Sequence, residues 1–153
     1  MSNTRFLFSF SNFETVRGGI DYEGVNYPTS EHAYQAAKFL TRDDRVRVAA
    51  LPTPGRAKLE GRLAILPHQW DLRKVRVMAD ILAIKFSRDP FRSRLMAYTQ
   101  PLVEWNTWHD NEWGDCTCGA TRCAQPGKNI LGILLTQIRS VLLLDDLQDV
   151  VEE

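Results

Sequence analysis

Ala33, Ala36, Ala37 and Leu40 recur at i, i+3, i+4 and i+7, the spacing of one helical face. Thr29 or Ser30 can cap this helix, which is expected to run to about Leu40. Glu31, Tyr34, Gln35 and Lys38 follow the same period on a different face. Ahead of it, Phe6, Phe8, Phe10 and Phe13 are interleaved with Ser and Asn in an extended start. Gly18-Gly19 and Glu23-Gly24 bracket a hairpin of short strands ending at Tyr27-Pro28. Short helices are expected over 43–51 and 55–66, with Pro52, Pro54 and Pro67 as breaks. Asp71 can cap a longer helix over 72–88, apolar around most of its circumference and therefore central in the core. A short helix over 91–98 and a short strand over 102–105 come next. A last helix over 129–144 turns Leu131, Leu134, Leu135, Ile138, Val141 and Leu142 inward. The fold class is α+β: a helix-rich single domain with one small antiparallel sheet, its core over about 6–143, followed by an acidic tail over 144–153.

The stretch 106–128 has no periodicity, and at about 23 residues it is long enough for a loop to suggest function. Trp105, Trp108 and Trp113 gather in it beside Asp110, Asn111 and Asp115. Such indoles either fill a core or stack a flat base. All three cysteines also lie here, as His109-x6-Cys116-x-Cys118-x4-Cys123. One His and three Cys make a tetrahedral zinc set, but the spacing is not that of a standard knuckle, and reduced structural thiols are the competing reading. No metal and no cofactor are assigned.

A chain of 153 residues with 44% apolar and 25% charged residues fits one soluble domain with its own core. It has no apolar run of the roughly 18 residues a membrane span needs, and no signal-peptide core. A cytoplasmic location and no membrane partner are the resulting expectations. The formal charge is zero but uneven. Between Lys38 and Arg76 ten Lys or Arg face four acids, a local excess of six, whereas the last ten residues carry five acids and no base. A polyanion-facing surface and solvated helix faces both account for this. No dinucleotide, Walker or serine-elbow motif is present, so nicotinamide redox, ATP hydrolysis and serine esterase chemistry lack their usual support.

Two side chains stand out. Glu31 sits in a helical first turn, where the dipole favours its ionised form and where surface capping acids are also common. Lys85 falls between Met78, Ile81 and Leu82 on the apolar side of its helix, opposite Arg73, Arg76 and Asp80. A lysine there either snorkels from the helix end or stands in a pocket.

Several segments come in the order found in one family. They are Phe10-Ser11-Asn12-Phe13, the run from Tyr27-Pro28-Thr29-Ser30-Glu31-His32 to Phe39, Lys85-Phe86, Leu102-Val103-Glu104, Asp110-Asn111-Glu112-Trp113-Gly114-Asp115, and Gly127-Lys128-Asn129-Ile130-Leu131-Gly132. Over about residues 6–143 the chain resembles the NADAR (YbiA-like) proteins. The resemblance implies a helix-rich α+β fold and N-glycosidase activity. The implied substrate is a phosphorylated ribose joined to an exocyclic amine of a guanine-like ring. ADP-ribosylated guanine, free or in nucleic acid, is the favoured form, and early riboflavin-pathway ribosylamines are the alternative. A module that binds ADP-ribose or a nucleotide without cutting it is the rival from another class. Matching positions suggest Glu31, Trp70, Asp110 and Trp113 as active-site residues. Lys85 and Lys38 are further catalytic candidates, because a ring-opened ribosylamine is an imine that a lysine can capture. Lys85 is expected within one water of Glu31 and Asp110. Asn12, His32, Gln35, Gly114, Asp115 and Asn129 complete the expected substrate contacts. The cysteine-bearing segment between Asp115 and Gly127 departs from compact family members, which have a short Gly-rich turn there.

Overall fold

The computed structural model describes residues 10–152, with side chains to residue 150. Phe6 and Phe8 of the expected extended start lie outside these. The chain forms two compact units, one over Asn12–Lys85 and one from the residues up to Ser11 together with those from Phe86 onward.

The first unit opens with the hairpin β1 (Thr15–Tyr22) and β2 (Val25–Thr29), paired antiparallel. Glu23 and Gly24 both have positive φ, as a two-residue turn of the hairpin-favoured hand requires. Gly18-Gly19 does not bracket the hairpin as expected. It lies inside β1, where the register shifts between Thr15 and Ile20. A Cβ at Gly19 would collide with the Asn26 side chain, whose Nδ2 donates to Gly18 O at 3.0 Å. This is a bulge, which bends a strand and re-aims its side chains.

Helix α1 (Ser30–Ala36) follows directly, and all seven of its residues are buried. Such a polar helix can be buried only if its polar groups find partners. The Thr29 hydroxyl accepts from His32 N at 3.2 Å, and Glu31 N donates to Asn12 O at 3.0 Å. Thr29 Oγ1 lies 2.8 Å from His32 Nδ1, and His32 Nε2 lies 3.1 Å from Leu51 O. Since a carbonyl can only accept, Nε2 carries the proton and Nδ1 accepts from Thr29. The helix ends earlier than its stripe suggests. Lys38 N and Phe39 N bond back to Gln35 O and Ala36 O in tighter turns, and Leu40 is exposed.

Helices α2 (Arg42–Ala49) and α3 (Pro54–Leu63) pack on α1, capped by Thr41 and Thr53. Helix α4 (Trp70–Phe86) begins before Asp71, which is therefore not its cap. Asp71 is exposed and pairs with Lys74 at 3.0 Å. Val77, Met78, Ile81 and Leu82 of α4 are buried, as its apolar circumference predicts.

In the second unit α5 (Phe91–Ala97) packs on α6 (Ile130–Glu152). Phe10, Phe86, Phe91 and Tyr98 form an aromatic cluster with centroids 5.2–6.1 Å apart. Helix α6 runs through the acidic tail instead of stopping near Leu144, and Arg92 pairs with Asp146 at 2.6 Å. Only Leu131, Leu134 and Leu135 of its expected inward side are fully buried, and Val141 is exposed. Beside the antiparallel sheet there is a two-residue parallel pair, β3 (Trp105–Asn106) with β4 (Asp115–Cys116). The fold is α+β, with six α-helices among the described residues and one small antiparallel sheet.

Two stability predictions arise here. Gly132 lies within α6, where Gly→Ala ordinarily stabilises by about 1 kcal/mol. A Cβ at Gly132 would strike Leu102 O and the Asn129 amide. Gly132→Ala is therefore expected to destabilise by about 1–3 kcal/mol, read as a lower urea midpoint. The second concerns His32, whose pKa burial pushes below 6.5, with the Leu51 carbonyl bond opposing. The unfolded chain then takes up this proton first as pH falls. Stability from His32 is complete above 6.5 and declines as pH drops below it. Thermal midpoints across this range should fall in the native protein and fall less in His32→Gln.

Candidate active site

The first unit holds a buried carboxylate in a polar setting. Glu31 lies in the first turn of α1 and is 6% exposed. Gln35, one turn on, is also buried and donates from Nε2 to Glu31 Oε1 at 2.7 Å. This bond fixes the carboxylate and leaves Gln35 Oε1 facing α3, where only a glycine fits: a Cβ at Gly61 would overlap that oxygen. Among the described residues Gln35 Oε1, Ser30 Oγ and Asn12 Oδ1 are buried without a hydrogen-bond partner. Buried polar atoms are nearly always paired, so three such orphans on α1 and on the residue that bonds its first turn call for a reason other than packing.

Lys38 stands just past α1. Burial pushes its ammonium below the usual lysine range, Glu31 pulls it back up, and Lys58, Arg62 and Lys74 add to the lowering. Glu31, Lys58, Arg62 and Lys74 are thus all near enough to act on Lys38. Much of the remaining positive charge of 38–76 is neutralised locally: Arg45 pairs with Glu23, Arg47 with Asp44 and Glu60, and Arg76 with Asp80. Lys74 is paired as well, with Asp71, so the broad basic face suggested by the sequence contracts to Lys38, Lys58 and Arg62 with the paired Lys74 beside them.

Trp70 is buried, and its ring packs 5.6 Å from that of Tyr34. Lys38 Nζ lies over the same Tyr34 ring, 5.5 Å from its centroid. Lys85 is fully buried. The snorkelling reading of Lys85 is thereby removed, because a snorkelling head must reach water. His32 has both ring nitrogens engaged, by Thr29 and by Leu51, and Asn12 holds the start of α1 through its backbone carbonyl while its Nδ2 lies 3.7 Å from Met78 Sδ.

In the second unit the Asp110 motif is an interlocked loop. Asp110 Oδ1 accepts from Glu112 N at 3.0 Å and Trp113 N at 2.8 Å. Asn106, which the sequence reading passes over, clamps the backbone of Asp110 from both sides: Nδ2 donates to Asp110 O at 2.6 Å and Oδ1 accepts from Asp110 N at 3.1 Å. Asp115 Oδ1 accepts from Gly127 N at 2.8 Å. Asn129, at φ +51, accepts from Glu104 N and donates to Leu102 O. Gly114 is buried where a Cβ would meet Glu104 O. Asp115, Asn129 and Gly114, expected as substrate contacts, are thus occupied in holding this loop. Trp113 is half-buried and Trp108 is exposed. A lone Asn in a loop carries no pattern, which is why Asn106 escapes a reading by period and motif. Ser30, also passed over, is hidden by its resemblance to a helix cap.

Comparison with known proteins identifies the family. The family model described as the NADAR domain matches residues 2–143 and so spans both units. N-glycosidase YbiA of Escherichia coli is 36% identical over 140 residues, covering 89% of this chain and 82% of that protein. An N-glycosidase of Nostoc punctiforme is 33% identical over 136 residues, covering 85% and 82%. The chloroplastic riboflavin biosynthesis protein PYRR of Zea mays is 32% identical over 88% of this chain and 23% of its own longer one. The NMR structure of Escherichia coli YbiA superposes with a TM-score of 0.75 at 35% identity, covering 91% of this chain and 80% of that one. Fold, motif order and these likenesses converge: the chain belongs to the NADAR family.

Proposed function

We propose that the chain is a hydrolase cleaving an N-glycosidic bond, between a phosphorylated ribose and the exocyclic amine of a guanine-like base. The observation that carries this is Glu31, a buried carboxylate fixed by Gln35 and acting on Lys38, with unpaired buried oxygens on Gln35, Ser30 and Asn12. Cleavage of such a bond needs a proton delivered to the leaving nitrogen and negative charge near an oxocarbenium-like carbon. Glu31 supplies the carboxylate. Ser30 Oγ, Gln35 Oε1 and Asn12 Oδ1 suit the hydroxyls of a ribose, and Lys38, Lys58, Arg62 and Lys74 suit its phosphates. Asp110 is the second carboxylate of the reading. Its Oδ1 is taken by two backbone N–H groups, so its chemical part falls to Oδ2. Trp70 is the base-stacking candidate of the first unit and Trp113 that of the second, and His32 positions α1.

The favoured substrate is ADP-ribosylated guanine, alone or in nucleic acid, because several cations around Lys38 match a pyrophosphate better than a single phosphate. The maize relative, named as a riboflavin biosynthesis protein, supports ribosylamino-pyrimidine phosphates as the second reading. Initial rates on ADP-ribosylated guanosine and on the pyrimidine ribosylamines decide between them. The ADP-ribosyl compound should turn over faster, and release from neither would end the glycosidase reading.

Glu31→Gln should retain the fold and lose on the order of 10² or more in turnover, as for a missing general acid or base. Near-native turnover would remove Glu31 from the chemistry. Lys85 is fully buried on α4 and is one of the two lysines of the proposal. Lys85→Met keeps most of the stem's packing and should lower kcat more than it lowers the melting temperature. If a lysine captures the ring-opened sugar as an imine, borohydride during turnover should add the sugar's mass to the chain. Persistence of the adduct in Lys85→Met and its loss in Lys38→Met would assign capture to Lys38, and the reverse to Lys85.

A further inference from the structure

The 106–128 segment contains a second constellation, independent of Glu31. We propose that His109, Cys116, Cys118 and Cys123 form a structural zinc site. The sequence leaves this set open between a metal site and reduced structural thiols. In the fold, one ligand atom from each residue lies within 4.8 Å of all the others. His109 Nδ1 is 3.2 Å from Cys118 Sγ and 3.5 Å from Cys123 Sγ. With Zn–S near 2.3 Å and Zn–N of about 2.0–2.1 Å, a tetrahedral site puts its ligand atoms about 3.5–3.8 Å apart. The observed set surrounds that geometry.

Local backbone supports the same reading. His109 adopts φ +70, an uncommon conformation for a side-chain-bearing residue, and there its imidazole joins the thiols. Gly119, at φ +78 directly after Cys118, turns the chain so that Ala120 N donates to Cys118 Sγ at 3.4 Å. An N–H pointed at sulfur is the kind of outer support that steadies a thiolate ligand. Cys116 is buried at the end of β4, with its own N–H held by Asn111 Oδ1 at 2.8 Å. All three cysteines are free thiols. Zinc binding would release three thiol protons, and three thiolates with one neutral imidazole around Zn²⁺ leave a net charge of minus one. Four protein ligands close the coordination sphere, so the metal is a staple and not a site for activating water. It would join β4 and the Thr121–Cys123 turn to His109, the residue preceding Asp110.

The test uses the full chain purified under reducing conditions with zinc supplied during growth. Metal analysis after passage over a chelating resin should find one zinc per chain. Replacement by cobalt should give the visible bands of a tetrahedral thiolate complex. Cys118→Ser and Cys123→Ser should each lose most of the bound zinc, while Arg122→Ala, an exposed neighbour, should keep it. Trypsin should cut after Arg122 more slowly in the zinc form than in the chelated form. Zinc no higher than the buffer blank together with no cobalt bands would overturn the site. So would a mass two hydrogens lighter than the reduced chain, which signals a disulfide. Equal trypsin rates with and without bound zinc would overturn its role as a staple.

Discussion

The bond from Thr29 to His32, continued to the Leu51 carbonyl, is the constraint on which the first unit rests. Helix α1 is buried along its whole length although Ser30, Glu31, His32 and Gln35 are polar. Without that chain of bonds, burying an imidazole would cost more than the surrounding alanines return. With it, Thr29 at the end of β2 and Leu51 beyond α2 are tied to one ring. The rest of α1 follows in a fixed rotation, and that rotation aims Glu31 and Gln35 at each other. The carboxylate is positioned by the same polar groups that make the helix expensive to bury.

The second unit solves a different problem with the same means. Residues 106–128 contain little regular structure, so their backbone groups need partners from side chains. Asn106, Asp110, Asn111, Asp115 and Asn129 provide them, each bonding main-chain atoms. Short polar side chains are suited to this because they reach nearby N–H and C=O groups with little rotamer freedom to lose. The cost is that the amides of Asn106, Asn111 and Asn129 are taken up in this way, while Asp110 and Asp115 commit Oδ1. A motif rich in Asp and Asn looks like chemistry in a linear sequence, and here the same residues also hold the loop together.

That distinction separates what could be read in the sequence from what could not. Period and punctuation located each helix, because a buried stripe and a Thr or Pro at its start leave marks in the chain. Boundaries slipped where a bond outweighed the period. Leu40 continued the stripe of α1, but the chain tightened after Ala36. The acidic tail promised no core, yet α6 continued through it with Arg92 on Asp146. Lys85 was visible as a polar residue at odds with its apolar stripe and Glu31 as a first-turn acid in a family motif, and both are buried. The pairing of Gln35 with Glu31 was visible only as an i, i+4 spacing. Contacts set by distant chain, such as Asn129 on Leu102, have no local signature at all. The family resemblance carried the motif order but could not tell which of its residues hold the loop.

The contact between Gln35 and Gly61 has a consequence for how such a chain can change over time. The amide oxygen of Gln35 occupies the volume that any side chain at position 61 would need. Neither position can vary alone: a larger residue at 61 evicts the amide that fixes Glu31, and a shorter residue at 35 leaves a hole against α3. Seen across descendants of this sequence, positions 35 and 61 should behave as one inherited character, exchanged together or not at all. A glycine in an otherwise ordinary helix thus records the shape of the carboxylate's support.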